Sequence, residues 1–163
     1  MPSAQELREK LLKSLRSDEV VMLGVVGPKD NHKRPMAARF RDSDATTIWF
    51  FGDNTTGLVR VVASGESRAE ACYSAKGHDL FACIHGRLSV DTDRAIVEEL
   101  WNSDVAAWYP GGKEDPKLVL LRFDTVEAEI WEAGSGLLAS VKSMFGADPA
   151  SDHERESHRT VPL

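Results

Sequence analysis

Four Trp residues stand in unusual local strings. Trp49 lies in TIWFFG (47–52), Trp101 in ELWN (99–102), Trp108 in WYPGGKEDP (108–116) and Trp131 in AEIW (128–131). Core packing accounts for a few Trp in a small protein. Trp beside loops rich in Gly and Pro also suits a flat aromatic ligand, which wants rings to stack on, backbone N–H groups and one anionic anchor. Two segments offer that anchor. Arg34 opens RPMAARF, and its planar fork matches a phosphate; taken alone, a solvated Arg is the plainer account. Pro35 has no N–H to donate, so this strand belongs at a sheet edge or beside a bulge. In DNTTGLVR (53–60), a helix start with Thr hydroxyls and Gly57 presents free N–H groups to an anion, although such starts are common.

In residues 125–132, Val126, Ala128 and Ile130 alternate with Glu127, Glu129 and Trp131. A period of two places Trp131 with two carboxylates, away from the apolar face. A Trp there suits a subunit interface, where Trp is enriched, or a ligand pocket formed at one.

Other reactive residue types lack a pattern that carries chemistry. His32, His78, His153 and His158 lie in turns or the terminal segment, without metal-ligand spacing. His85 shares a strand face with Phe81, Cys83 and Arg87 and reads as structural. Cys72 and Cys83 are equidistant from the turn KGHD (76–79), so a simple hairpin sets them opposite one another. The expectation is a reduced pair, with a reversible cross-strand disulfide as the alternative. No Ser/His/Asp arrangement emerges, Glu98 and Glu99 read as a solvated helix face, and no catalytic residue or metal site is assigned.

The whole chain narrows the classes. It has 163 residues, 42% hydrophobic and 28% charged, as expected of one soluble domain with its own core. A net charge of −6 argues against a nucleic-acid partner. No apolar run reaches the roughly 20 residues of a membrane span, and the polar start does not read as a signal peptide. Two Cys do not make a disulfide framework, so a cytoplasmic setting is expected.

The elements that must position these residues follow from periodicity. Ser3 and Glu6 have capping-box spacing, with Leu7, Leu11, Leu12 and Leu15 on one helical face. Strands are expected over 20–27, 34–41 and 46–52. Asn54 or Thr55 caps a short helix in which Leu58, Val61 and Val62 share a face. Strands follow over 67–75 and 80–90, with Gly86 at a bulge or bend. Asp91 or Thr92 caps a helix carrying Ile96, Val97, Leu100 and Trp101. The last strands are expected over 117–123 and 125–132, and a final helix over 135–145. Residues 1–145 read as one domain, and 146–163 as a polar mobile tail. The order is not βαβ. It predicts a mainly β (α+β) fold: six or seven antiparallel strands in a small closed or split barrel with flanking helices.

The strings RPMAA, IWFFG, a Gly-containing helix start, HGRLSVDTD, LW, WYPGGKEDP, LLRF and AEIW occur in an order and spacing that resemble the general stress protein 26 group. That group belongs to the flavin-binding split-barrel superfamily that includes pyridoxamine 5′-phosphate oxidase. The resemblance covers roughly residues 5–133, and WYPGG-x-x-DP is its most specific part. It implies a split β-barrel and a homodimer with FMN, or FAD, at the subunit interface. By the same resemblance Arg34 meets the flavin phosphate or ribityl chain, and Met36 and Ala37 lie against the isoalloxazine ring. Trp49, Phe50, Phe51 and Gly52 offer backbone contacts and one wall. Thr56 and Gly57 approach the phosphate, and Trp108 and Trp131 contact the ring, including from the other subunit. Two positions depart from the group. Leu58 stands where a phosphate-pairing Lys is common, and Gly52 where a Thr is usual. A lost charge-assisted contact costs about 1.5–3 kcal/mol, so weakened phosphate binding is expected. The implied activity is that of a flavin-dependent oxidoreductase of unknown substrate. The alternatives are a non-catalytic flavin carrier or sensor, or a dimeric barrel that has lost flavin and binds another ligand.

Overall fold

The structure is a computed structural model that describes residues 2–27, 32–132 and 158–163. Helix α1 (Ala4–Ser17) starts at the expected capping box: the Glu6 N–H donates to Ser3 Oγ, and the Ser3 N–H donates to Glu6 Oε2. Its Leu7, Leu11 and Leu15 are buried.

Eight strands make one antiparallel sheet: β1 (Val20–Val25), β2 (Arg34–Ala37), β3 (Arg39–Arg41), β4 (Asp44–Asp53), β5 (Ser67–Ser74), β6 (Leu80–Asp91), β7 (Leu118–Glu132) and β8 (His158–Pro162). The order is β2-β1-β5-β6-β7-β4-β3, with β8 added against β7. The two outer strands of that order, β2 and β3, are therefore consecutive in the chain. The expected single strand 34–41 is broken at Ala38, because its first half pairs with β1 and its second with β4. Ala38 is fully buried, and its N–H donates to the Glu19 carbonyl at 2.6 Å. The sheet curls until its edges meet along one segment, which is the split barrel expected from the sequence.

The two expected last strands are one strand of 15 residues. Thr125 pairs with Gly86 and Glu127 with His85, so Val126 is an extra residue in the ladder. A bulge of this kind inverts the alternation. Leu121 and Phe123 face inward before it, and Ala128 and Ile130 after it. Each half thus read as a separate strand. Val126, expected on the apolar face, is exposed at the bulge. Gly86 is needed opposite: an added Cβ would collide with the Asp124 carbonyl oxygen and lie 2.8 Å from Phe123.

One side of β7 serves two partners. Residues 118–124 pair with β4, and residues 127–131 pair with β8. Strand β8 lies where a polar tail was expected. Only Val161 in it is buried, so no apolar period marks it; its order comes from the β7 edge and from α1. The expected helix 135–145 and the tail 146–157 lie outside the described residues.

Helix caps differ from expectation by one or two residues. Thr56 caps α2 (Gly57–Ala63) and Asp93 caps α3 (Arg94–Leu100). Asp53 and Asp91 instead organise the turns before them, accepting from the N–H groups of Thr55 and Asp93. In α2, Leu58, Val59 and Val62 are buried, whereas Val61 is only partly so.

Two apolar clusters result. The barrel interior holds Leu23, Ile48, Phe50, Ile84, Leu88, Leu121 and Phe123. A second cluster lies outside the barrel wall, where α3 covers Trp49 and Leu120 with Ile96, Val97 and Leu100. Both faces of β4 are buried over Thr47–Phe50, as its continuous apolar run implied.

Two outcomes test this architecture. Gly86→Ala should destabilise the fold by about 1–3 kcal/mol, since the new methyl meets backbone that cannot yield; the denaturant midpoint should fall with the slope unchanged. In the β3–β4 turn, donors from Thr47 and Thr46 hold the Asp44 carboxyl down at about 2, below its ordinary 3.8. Its contribution is then complete above pH 3.8 and lost as pH falls toward 2. Asp44→Asn should flatten the acid limb of a stability–pH curve over that window.

Candidate functional site

The most specific motif closes over the end of β4. Chain leaves α3 at Trp101, makes the short helix α4 (Ser103–Ala106) and enters the WYPGGKEDP loop. Tyr109 turns inward and its hydroxyl donates to the Gly52 carbonyl at 2.8 Å. Burial pushes its phenol up to about 12. Trp101 lies between Phe51 and Tyr109, with ring centroids 5.9 and 6.2 Å away. Asp115 fixes the loop by accepting from the N–H groups of Gly111 and Lys117. These backbone donors hold its carboxyl below the usual range. Gly112 has φ +67, a conformation glycine adopts freely. The start of α2 is tied to the same loop: the Asn54 side chain donates to the Pro116 carbonyl and its N–H to that of Lys117.

This packing explains one departure. A Cβ at Gly52 would lie 2.8 Å from Val59 and 3.3 Å from Leu121. A Thr at this position has no room while Val59 and Leu121 stand there.

The other expected residues divide. Arg34 and Met36 stand opposite buried Leu23 and Val21, so they face the barrel side. Ala37 stands opposite exposed Val20. Met36 and Ala37 thus present side chains to opposite faces of β2. Trp49 and Phe51 point outward under α3, whereas Phe50 is buried inside the barrel. Thr56 caps α2, and its hydroxyl also donates to the Asp53 carbonyl at 2.8 Å. Gly57 is the first residue of that helix. Leu58 is buried in the core, so this position offers neither charge nor access to a phosphate. Trp131 is half-buried beside Glu129 and stacks on His158, with centroids 4.6 Å apart and planes within 12°. Trp108 is 82% exposed and covered by nothing in its own chain among the described residues.

A few buried side-chain donors have no acceptor. Among the described residues these are Arg34 Nε, Arg39 Nε and Trp49 Nε1. An unfilled buried donor costs about 1–3 kcal/mol, so each calls for a partner. Arg34 was anticipated. Arg39 was not: it reads as an ordinary strand residue until its register sets it directly opposite Trp49. Its Nη1 donates to Glu19. Beside it runs a groove of about 310 Å³, lined in part by Phe40, Glu99 and Trp101. Arg34 and Arg39 sit on β2 and β3, the two outer strands of the order, and Trp49 sits on β4 beside Arg39.

A model of the pyridoxamine 5′-phosphate oxidase like family matches residues 6–150. The chain belongs to this family. Its relatives include a general stress family protein of Xanthomonas campestris pv. campestris, 48% identical, with a TM-score of 0.75 over 82% of this chain and 92% of that one. The general stress FMN/FAD binding protein of Xanthomonas citri is also 48% identical, with a TM-score of 0.74 over 80% and 91% of the two chains. General stress protein 26 of Bacillus subtilis (strain 168) is 23% identical over 80% of this chain and 91% of its own length.

In this member of the pyridoxamine 5′-phosphate oxidase-like family, the Tyr109–Gly52 bond joins the motif loop to the barrel. Tyr109→Phe removes a buried hydrogen bond and should cost about 0.5–1.5 kcal/mol of unfolding free energy. The phenol value, raised from 10, adds a sign: its stabilisation is present below pH 10 and falls away as pH rises to about 12. Denaturant titrations at both ends of that range should show this alkaline loss in the native chain and not in the variant.

Proposed function

We propose that this chain is a homodimeric flavoprotein of the general stress type. It holds FMN at the subunit interface and works as an oxidoreductase on a small molecule. The observation that carries the reading is the buried, unpartnered Nε of Arg34, at the position where the family resemblance places the flavin phosphate. The Xanthomonas citri relative, described as FMN/FAD binding, supports the same cofactor class. The bound flavin would supply reversible electron transfer, leaving binding, orientation and access to the protein. Arg34 anchors the phosphate through its fork. Trp108 supplies ring area to the partner subunit. Val20, Met22, Pro35 and Ala37, joined by the β1–β2 register and all exposed, form an apolar patch suited to burial between subunits. Residues 1–145 serve as the flavin-binding domain, in a cytoplasmic setting.

Leu58 favours a second reading, a barrel that takes another ligand, because a buried aliphatic residue replaces the usual cation.

A fluorescence titration separates the two. FMN should bind saturably, one per chain, and riboflavin at least about tenfold more weakly if the phosphate is recognised. Arg34→Ala should weaken FMN by roughly ten- to a hundredfold, the equivalent of about 1.5–3 kcal/mol, and bring it near riboflavin. No uptake of FMN, FAD or riboflavin by the native chain would overturn the flavin reading in favour of the second. Where flavin binds, bleaching by a nicotinamide donor and reoxidation by an added acceptor mark an oxidoreductase. Binding without bleaching marks a carrier or sensor.

A further inference from the structure

The outer face of the sheet gathers sulfur along one row, of which the proposed subunit patch takes only Met22. Met22 pairs with Cys72, Cys72 with Cys83, and Cys83 with Glu129, across β1, β5, β6 and β7. The two cysteines are directly opposite, and their Sγ atoms stand 3.5 Å apart. Both are free thiols and both are half-buried. Directly opposed antiparallel residues have Cα separations of about 4.5–5.5 Å, inside the range a disulfide spans. Forming the bond therefore needs side-chain rotation to bring sulfur to about 2.05 Å, with no strand displaced.

The surroundings are charged. Lys33 pairs with Glu70 at 3.0 Å, and its ammonium is near enough to interact with both thiols. His85 stands 3.6 Å from Glu70 and 3.8 Å from Glu129. A cation beside a thiol favours the reactive thiolate, whereas burial opposes it. Burial, reinforced by Cys72, pushes the Cys83 thiol up to about 12.

We propose that Cys72 and Cys83 form a reversible dithiol–disulfide site oxidised by hydroperoxides. One of the two sulfurs attacks a peroxide oxygen and breaks the O–O bond. With hydrogen peroxide this yields a sulfenic acid, and the departing oxygen leaves as water carrying the thiol proton. The other sulfur then attacks the sulfenic sulfur and displaces the hydroxyl, which takes the second thiol proton and leaves as a second water. Two thiols lose two electrons, and the peroxide gains them. Two equivalents of a small thiol reverse the step. The site requires no flavin, so it stands or falls separately from the proposed function.

The test treats the reduced full-length protein with hydrogen peroxide and follows free thiols, intact mass and non-reducing electrophoresis. Both thiols should disappear together, the mass should fall by two hydrogens with the chain still single, and dithiothreitol should restore both. In Cys83→Ser and in Cys72→Ser the remaining thiol lacks its resolving partner, so its sulfenic acid should be trapped by dimedone in each. Three results would overturn the proposal: disulfides between chains, direct passage to sulfinic acid, or thiols that survive peroxide levels able to oxidise them in the unfolded chain.

Discussion

The fold depends on a closure constraint in residues 34–41. One segment supplies both edges of the sheet, so β2 must pair with β1 and β3 with β4 while separated by a single residue. Only a small side chain fits that crossover. Ala38 is fully buried there, with its N–H held by the Glu19 carbonyl. The curl of the sheet then encloses the interior core. The same closure brings Arg34 on one edge and Arg39, opposite Trp49, on the other to the two sides of the split. All three carry buried N–H groups without acceptors. Arg34 faces the barrel side, whereas Arg39 shares the outward face of Trp49 beside α3.

A second dependence runs through β7. Its bulge at Val126 lets one strand serve two geometries. The first half lines the barrel beside β4, and the second half faces β8 and presents Trp131 with Glu129 on the outer face. Gly86 makes this inversion sterically possible. The motif loop then locks the β4 end from outside, through Tyr109 on Gly52 and Asn54 on the Lys117 and Pro116 carbonyls. Glycine at position 52 belongs to that lock.

Much was legible locally. The capping box, the hairpin that sets Cys72 opposite Cys83, the glycine at the register shift and the polar-face Trp131 all follow from short-range rules. Arg34 stood out because Pro35 marks an edge strand, and β2 is one. Other expectations failed for physical reasons. Residues 117–132 read as two strands because a bulge resets the period. Strand 34–41 read as continuous because partner exchange leaves no mark in alternation. Strand β8 was invisible, since an edge that pairs with β7 needs little apolar content of its own.

The amino-acid sequence by itself determined most of the helices and strands, the β class and the family, because each rests on local periodicity, capping and motif order. Tertiary structure alone decided which residues surround the seam. Arg39 gains meaning only from standing opposite Trp49, and Leu58, already without charge, also loses access to a phosphate because its helix turns it into the core. Both outcomes rest on contacts between residues distant in the chain, which no local period records.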